Sequence, residues 1–214
     1  MGPKRKPTTA GRILDTAERL VQERGFNAFS YADISETLGI QKASLHHHFA
    51  TKADLGLALI ERYRHDFEGA LREIEAATED AQERLERYAA LYGSVLRKKR
   101  MCMCGMLAAE VATLPRDMRE SIAAFFTDNK AWLGRVLDEG RDDGRLEFGG
   151  PAESLAAFFV SSLEGAMLVA RGSGSADHFD TVAKRLLEDS HPRKPKAGAS
   201  ERRLPRRLRR GQIV

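Results

Sequence analysis

The chain has 214 residues, 42% of them hydrophobic and 31% charged, with a net charge of +4. That length allows a small head plus a larger body, and with no run of about eighteen apolar residues it is not expected to span a membrane. Two cysteines, Cys102 and Cys104, cannot build a disulfide framework, and the basic N-terminus has no apolar segment behind it, so a cytoplasmic location is expected. The charge is segregated. Residues 1–6 carry Lys4, Arg5 and Lys6 with no acid, and residues 191–214 carry nine Lys/Arg against Glu201, which leaves −7 for residues 7–190. Basic termini on an acidic body suit a polyanion partner.

Apolar residues recur every three or four positions, and no strand-like alternation persists. Ile13, Leu14, Ala17, Leu20 and Val21 form the face of a first helix closed at Gly25. Residues 31–49 then read as two short helices around a turn. Ile34, Leu38, Ile40, Leu45 and Phe49 turn inward together, and Gly39 falls where the first of the two must stop in a left-handed backbone. Gln41, Lys42, Ser44, His46, His47 and, just beyond, Lys52 are left facing outward, donors of the kind used on phosphates and base edges.

A long helix follows Lys52, with Leu55, Leu59, Tyr63, Phe67, Leu71 and Ile74 inward. Leu85, Tyr88, Tyr92, Val95 and Leu96 mark the next. Met103, Met106, Leu107, Val111 and Leu114 mark another, stopped by Pro115. A helix from Met118 to about Gly140, one opened by Pro151 and running to about Arg171, and a last one over about 177–189 complete an all-α fold of about nine helices. The Pro/Lys/Arg-rich residues 191–214 cannot bury a core and are expected to be disordered, adding nonspecific DNA affinity.

The segments Arg12–Phe26 and Lys42–Leu55 resemble the tetracycline-repressor (TetR) family of bacterial transcriptional regulators, over about residues 8–60. His46 stands where the family usually has tyrosine, and Ser35 where alanine is usual. The resemblance implies residues 1–52 as N-terminal arm and three-helix DNA-binding domain, and 53–190 as a six-helix ligand-binding and dimerisation domain. Residues 191–214 form the tail. It further implies a repressor, a homodimer on a palindromic double-stranded DNA operator, and release by a small-molecule inducer of unknown identity or by thiol modification. Lys4, Arg5, Lys6, Ser30, Tyr31, Gln41, Lys42, Ala43, Ser44, His46, His47, His48 and Lys52 are the expected DNA-binding residues, with His48 and Lys52 on the backbone. The segment Cys102–Met118 resembles the sixth-helix entry of a branch that includes acrylate-responsive and N-ethylmaleimide-responsive repressors.

Three consecutive histidines cannot converge on one ion, because successive helical residues point about 100° apart; no metal ligand, cofactor or catalytic residue is assigned. Cys102 and Cys104 stand two apart, so a disulfide within one helix would be strained. Lys98, Lys99 and Arg100 just upstream, together with a nearby helix start, would favour a reactive Cys102 thiolate. The competing reading is a pair of small buried hydrophobes. Tyr63, Phe67, Tyr88, Tyr92, Cys102, Met106, Phe126, Trp132, Phe159 and Glu164 are candidate pocket residues, though at helical spacing aromatics are more often plain core. Ala157, Ser161, Gly165 and Leu168, with Phe179 and Val182 of the last helix, are the candidate dimer seam. A helical enzyme is a competing class, but no glycine-rich phosphate loop or nucleophile elbow appears. A nonspecific nucleic-acid binder acting through basic termini is the other alternative.

Overall fold

The Thr8 hydroxyl accepts the Gly11 amide and so caps α1 (Thr9–Arg24), which Gly25 ends at φ 94°, an angle that other residues adopt only under strain. In the computed structural model, which describes residues 8–190, eight further α-helices follow. They are α2 (Tyr31–Leu38), α3 (Lys42–His48), α4 (Lys52–Ala77), α5 (Ala81–Arg97), α6 (Met103–Ala109), α7 (Arg116–Asp142), α8 (Ala152–Ser173) and α9 (Asp177–Glu188). No strand occurs among the described residues, so the all-α expectation holds. The arm at Lys4, Arg5 and Lys6 and the tail at 191–214 lie outside the described residues.

Helices α7, α8 and α9 pack side by side, α4 and α5 lean on α7, and α1 and α2 pack together beside α4. Buried Leu55, Leu59, Leu71 and Ile74 line the inner side of α4 as their spacing predicts, while Tyr63 and Phe67 are half-buried. The guanidinium of Arg62 on α4 reaches back to Asp15 at 2.7 Å and Glu18 at 2.6 Å on α1.

One helix is shorter than its apolar stripe suggests. The stripe from Met103 to Leu114 is read as one helix from the sequence, but α6 stops at Ala109 and a single 3₁₀ turn, Val111–Thr113, follows. Val111 is 40% exposed instead of buried. At the break, Glu110 turns its carboxylate onto the Phe26 amide (2.7 Å) and the Asn27 amide (3.2 Å) in the α1–α2 loop. Three further bonds tie the same region to the body. The Met101 amide donates to the Gln22 carbonyl at 3.1 Å, and Arg171 of α8 donates to the carbonyls of Gln22 and Glu23. Two carbonyls at the end of α1, those of Gln22 and Glu23, are thereby satisfied by the body.

Candidate nucleic-acid interface and ligand cavities

Helix α2 begins with a reciprocal cap: the Ser30 side chain accepts from the helix amides, and Asp33 accepts the Ser30 amide at 2.7 Å. Its carboxyl is held below the usual range chiefly by that hydrogen-bonded serine. Gly39 ends α2 at φ 64°, ψ 36°, the left-handed turn expected there. Ser35, the second departure from the family pattern, donates to the Ile40 carbonyl at 2.7 Å and so closes the turn from inside. Leu45 is fully buried, anchoring α3 on Ile34 and its neighbours. Gln41, Lys42, Ala43, His46, His47 and His48 are exposed on the other side, and Ser44 is half-buried.

Besides Ser30, three expected contact residues have work inside the head. The Tyr31 hydroxyl lies 2.8 Å from the Phe49 carbonyl and 2.7 Å from the Thr51 carbonyl, so its one proton ties α2 to the α3–α4 turn. His46, at the tyrosine position, packs against Tyr31 with ring centroids 4.8 Å apart. Its Nδ1 is 3.1 Å from the Ala50 carbonyl. A carbonyl only accepts, so Nδ1 carries the proton and Nε2 is presented outward. Lys52 departs most from its expected role. Its ammonium donates to the carbonyls of Phe26 (2.6 Å) and Phe29 and lies 4.6 Å and 4.4 Å from the centres of their rings. Burial lowers its pKa, against the pull of Glu110 and Asp33. The backbone contact expected of Lys52 is joined here by an internal role: its chain is drawn inward because two loop carbonyls would otherwise be unpaired beside aromatic rings. Its side chain still borders a cleft of about 400 Å³ with Ser30, Tyr31, Lys42 and His46.

The expected pocket residues do not share one cavity. Trp132 and Phe67 border a space of about 570 Å³ between α4 and α7, where the indole N–H donates to Glu75 at 2.7 Å. Tyr63, Phe67, Tyr92 and Cys102 line another of about 190 Å³. Met106, Phe126 and Glu164 line a third of about 470 Å³ between α6, α7 and α8, together with Ala157, Ser161, Gly165 and Leu168. Tyr88 and Phe159 border none of these three; both are fully buried. The Tyr88 hydroxyl bridges Tyr92 and Asn129, each at 3.1 Å, and its ring stacks on Trp132. Tyr88 is core because its one polar atom is paired within the protein.

The cysteines differ from the thiolate expectation. Cys102 stands at the position just before α6 without a side-chain capping bond, is 2% exposed, and lies 3.7 Å from the Tyr63 hydroxyl. Burial, then the neighbouring Glu164 carboxylate and Cys104, push its thiol well above the usual value. Lys98 and Lys99 are exposed to solvent, and Arg100 pairs with Glu23, so their charge does not offset that burial. Cys104 is fully buried and also pushed up by burial.

The seam residues divide as well. Phe158, Leu168 and Val169 on α8 are 50–64% exposed, and Ser161 and Gly165 are exposed between them. Helix α8 is long and apolar enough to cross a membrane, but its buried side faces α7 and α9. Phe179, in contrast, is 3% exposed and packs toward Gly93 of α5, so it belongs to the subunit core. Val182 is half-buried. Glu110 and Arg171, which fix the head on the body, were not among the expected site residues; no local spacing marks a contact across 84 or 148 positions.

A helix-turn-helix head with an exposed donor face, carried on a cavity-bearing helical body, defines a DNA-binding regulator. The family described as bacterial regulatory proteins, tetR family, matches residues 13–59, and the tetracyclin repressor-like C-terminal domain matches residues 81–186. The chain belongs to the TetR family. A TetR-family regulator from Agrobacterium tumefaciens is 36% identical and superposes with a TM-score of 0.83, covering 86% of this chain and 97% of that one. The transcriptional repressor NemR of Escherichia coli is 28% identical over 180 residues, 81% of this chain and 89% of its own length. The transcriptional regulator AcuR of Cereibacter sphaeroides is 27% identical over 161 residues, 70% of each.

Proposed function

We propose that the chain is a homodimeric repressor whose two copies of α3 enter successive major grooves of a palindromic operator. The observation that carries the reading is the division of labour in the head. Ser30, Tyr31, Ser35 and Lys52 satisfy internal groups, while the side chains of Gln41, Lys42, His47 and His48 face outward with no hydrogen-bond partner described. Phosphate contacts would set the register and base contacts the sequence. The exposed stripe Phe158, Ser161, Gly165 and Leu168 would form the two-fold seam, since glycine and serine let two helices approach closely. The domain division 1–52, 53–190 and 191–214 is part of this reading, as is a cytoplasmic setting, and no enzymatic step is assigned.

A small molecule in the body would shift the spacing of the heads only by binding one spacing more tightly than the other. Helix α6 is placed to carry that signal, with Cys102 at one end and Glu110 on the head loop at the other. A second route is addition of an unsaturated carbonyl compound to Cys102. Its observation is that Cys102 lines the cavity of about 190 Å³ with Tyr63 and Tyr92. Footprinting on the region upstream of the chain's own gene tests the repressor. Repeating it after treatment with an electrophile, for wild type and Cys102→Ser, tests the second route: release in both proteins excludes the thiol.

A further inference from the structure

Glu164 sits midway along α8 with its Oε1 shielded from solvent and without a hydrogen-bond partner. Burial pushes its carboxyl up to about 7, and a hydrogen bond from the Cys102 thiol only partly opposes that rise. A buried carboxylate without a partner is costly, and structures keep one only where something repays the lost hydration. Gly105 of α6 makes room for it, because a Cβ there would collide with Oε2. The carboxylate lines the half-open cavity of about 470 Å³, whose other walls include the apolar Met106, Phe126, Val160 and Leu168. That volume falls in the range of about 300–1,000 Å³ typical of small-molecule sites, as does the pairing of apolar walls with few polar anchors. Lys130 lines the same cavity, half-buried, and makes no ion pair with Glu164.

We propose that this cavity binds a small amphipathic organic cation, an amine whose N–H donates to Oε1 of Glu164 while its apolar body lies on Met106, Phe126 and Leu168. The inference rests on the reading of the body as a ligand receptor and names the site and ligand class. Lys130 repels a second positive charge, so the ligand carries one amine and not two. The outer edge of the cavity is formed by Ala157, Ser161, Gly165 and Leu168, the face assigned to the dimer seam, so a second copy would close it over the bound amine.

Calorimetric titration of the full chain with phenylbutylamine, and with its neutral and anionic isosteres phenylbutanol and phenylbutanoate, tests the assignment. The amine is expected to bind about tenfold or more tighter than the alcohol, as loss of one charge-assisted hydrogen bond implies, with the carboxylate weakest. Glu164→Gln should remove the amine's advantage. Ala109→Trp, at an exposed position lining the cavity, should weaken all three and serves if Glu164→Gln does not fold. Equal binding of amine and alcohol, preference for the carboxylate, or amine binding unchanged in both variants would overturn the proposal. Operator binding, followed separately by anisotropy, distinguishes the two levels. Amine binding with this pattern but no release of DNA upholds the site and removes the induction reading. Release by other compounds, intact in both variants while the amine does not bind, does the reverse.

Discussion

Lys52 in the head and Glu164 in the body are both charged groups withdrawn from water, but their surroundings differ. The Lys52 ammonium has two carbonyls and two aromatic faces around it. The Glu164 carboxylate has an apolar cavity and an unpaired oxygen. The head is built so that its polar groups are satisfied before DNA arrives, and the recognition helix is the part left over. The body leaves a carboxylate oxygen unsatisfied at a cavity wall, so a ligand that supplies a donor would gain affinity there. The head and the body are joined by Glu110 and Arg171, both bonded to backbone at the end of α1 or in the loop after it.

The comparison breaks most visibly under pH. Glu164 has a folded pKa near 7 against an ordinary 4.5, so the folded state binds its proton more tightly than the unfolded chain. Its stability is therefore greatest below about pH 4.5 and is lost as pH rises through 7, by at most about 3 kcal/mol for this one group. Denaturant titrations of wild type and Glu164→Gln at pH 5 and 8 should show the variant gaining relative stability at the higher pH. No difference between the two pH values would mean that Oε1 is hydrated.

Next in size is Lys52→Met, which leaves the Phe26 and Phe29 carbonyls without their donor and should destabilise the protein by about 2 kcal/mol. Chemical unfolding reads that loss. Unchanged stability with a salt slope of operator binding reduced by about one unit would return Lys52 to the phosphates.

Tyr31→Phe should cost about 1 kcal/mol, because its hydroxyl serves the α3–α4 turn. Melting with and without operator separates this internal role from a DNA contact: a contact would show as an extra loss only in the complex. The smallest expected effect is at Cys102, whose buried thiol should label slowly with a maleimide in the native protein at pH 7 and rapidly in denaturant. Fast native labelling would mean that the 190 Å³ cavity opens readily.

Much of the head was legible in the sequence because its signals are local. Gly39 takes the left-handed turn, Leu45 anchors α3, and the Ser30–Asp33 cap lies within four residues. Periodicity likewise located the body helices. What it could not supply was partnership at a distance. Lys52 reads as a surface cation until the carbonyls of Phe26 and Phe29 are seen above it. Phe179 carries the same apolar signal whether it faces a second subunit or Gly93. Cys102 looks activated by the basic run beside it, yet burial outweighs charges that point into water. The break after Ala109 was hidden because Val111 and Leu114 continue the apolar spacing, while the contact that accompanies the break lies 84 residues away.

The central claim is that α3 reads DNA while the residues behind it hold the head together. Footprinting of wild type and a Lys42→Ala, His47→Ala variant on the upstream region tests it most directly, with melting temperatures measured in parallel. Wild type is predicted to protect one two-fold symmetric site, and the variant to lose that protection with its melting unchanged, since both side chains are exposed. Protection by the variant equal to wild type, or no discrete protected site for either protein, would contradict the account.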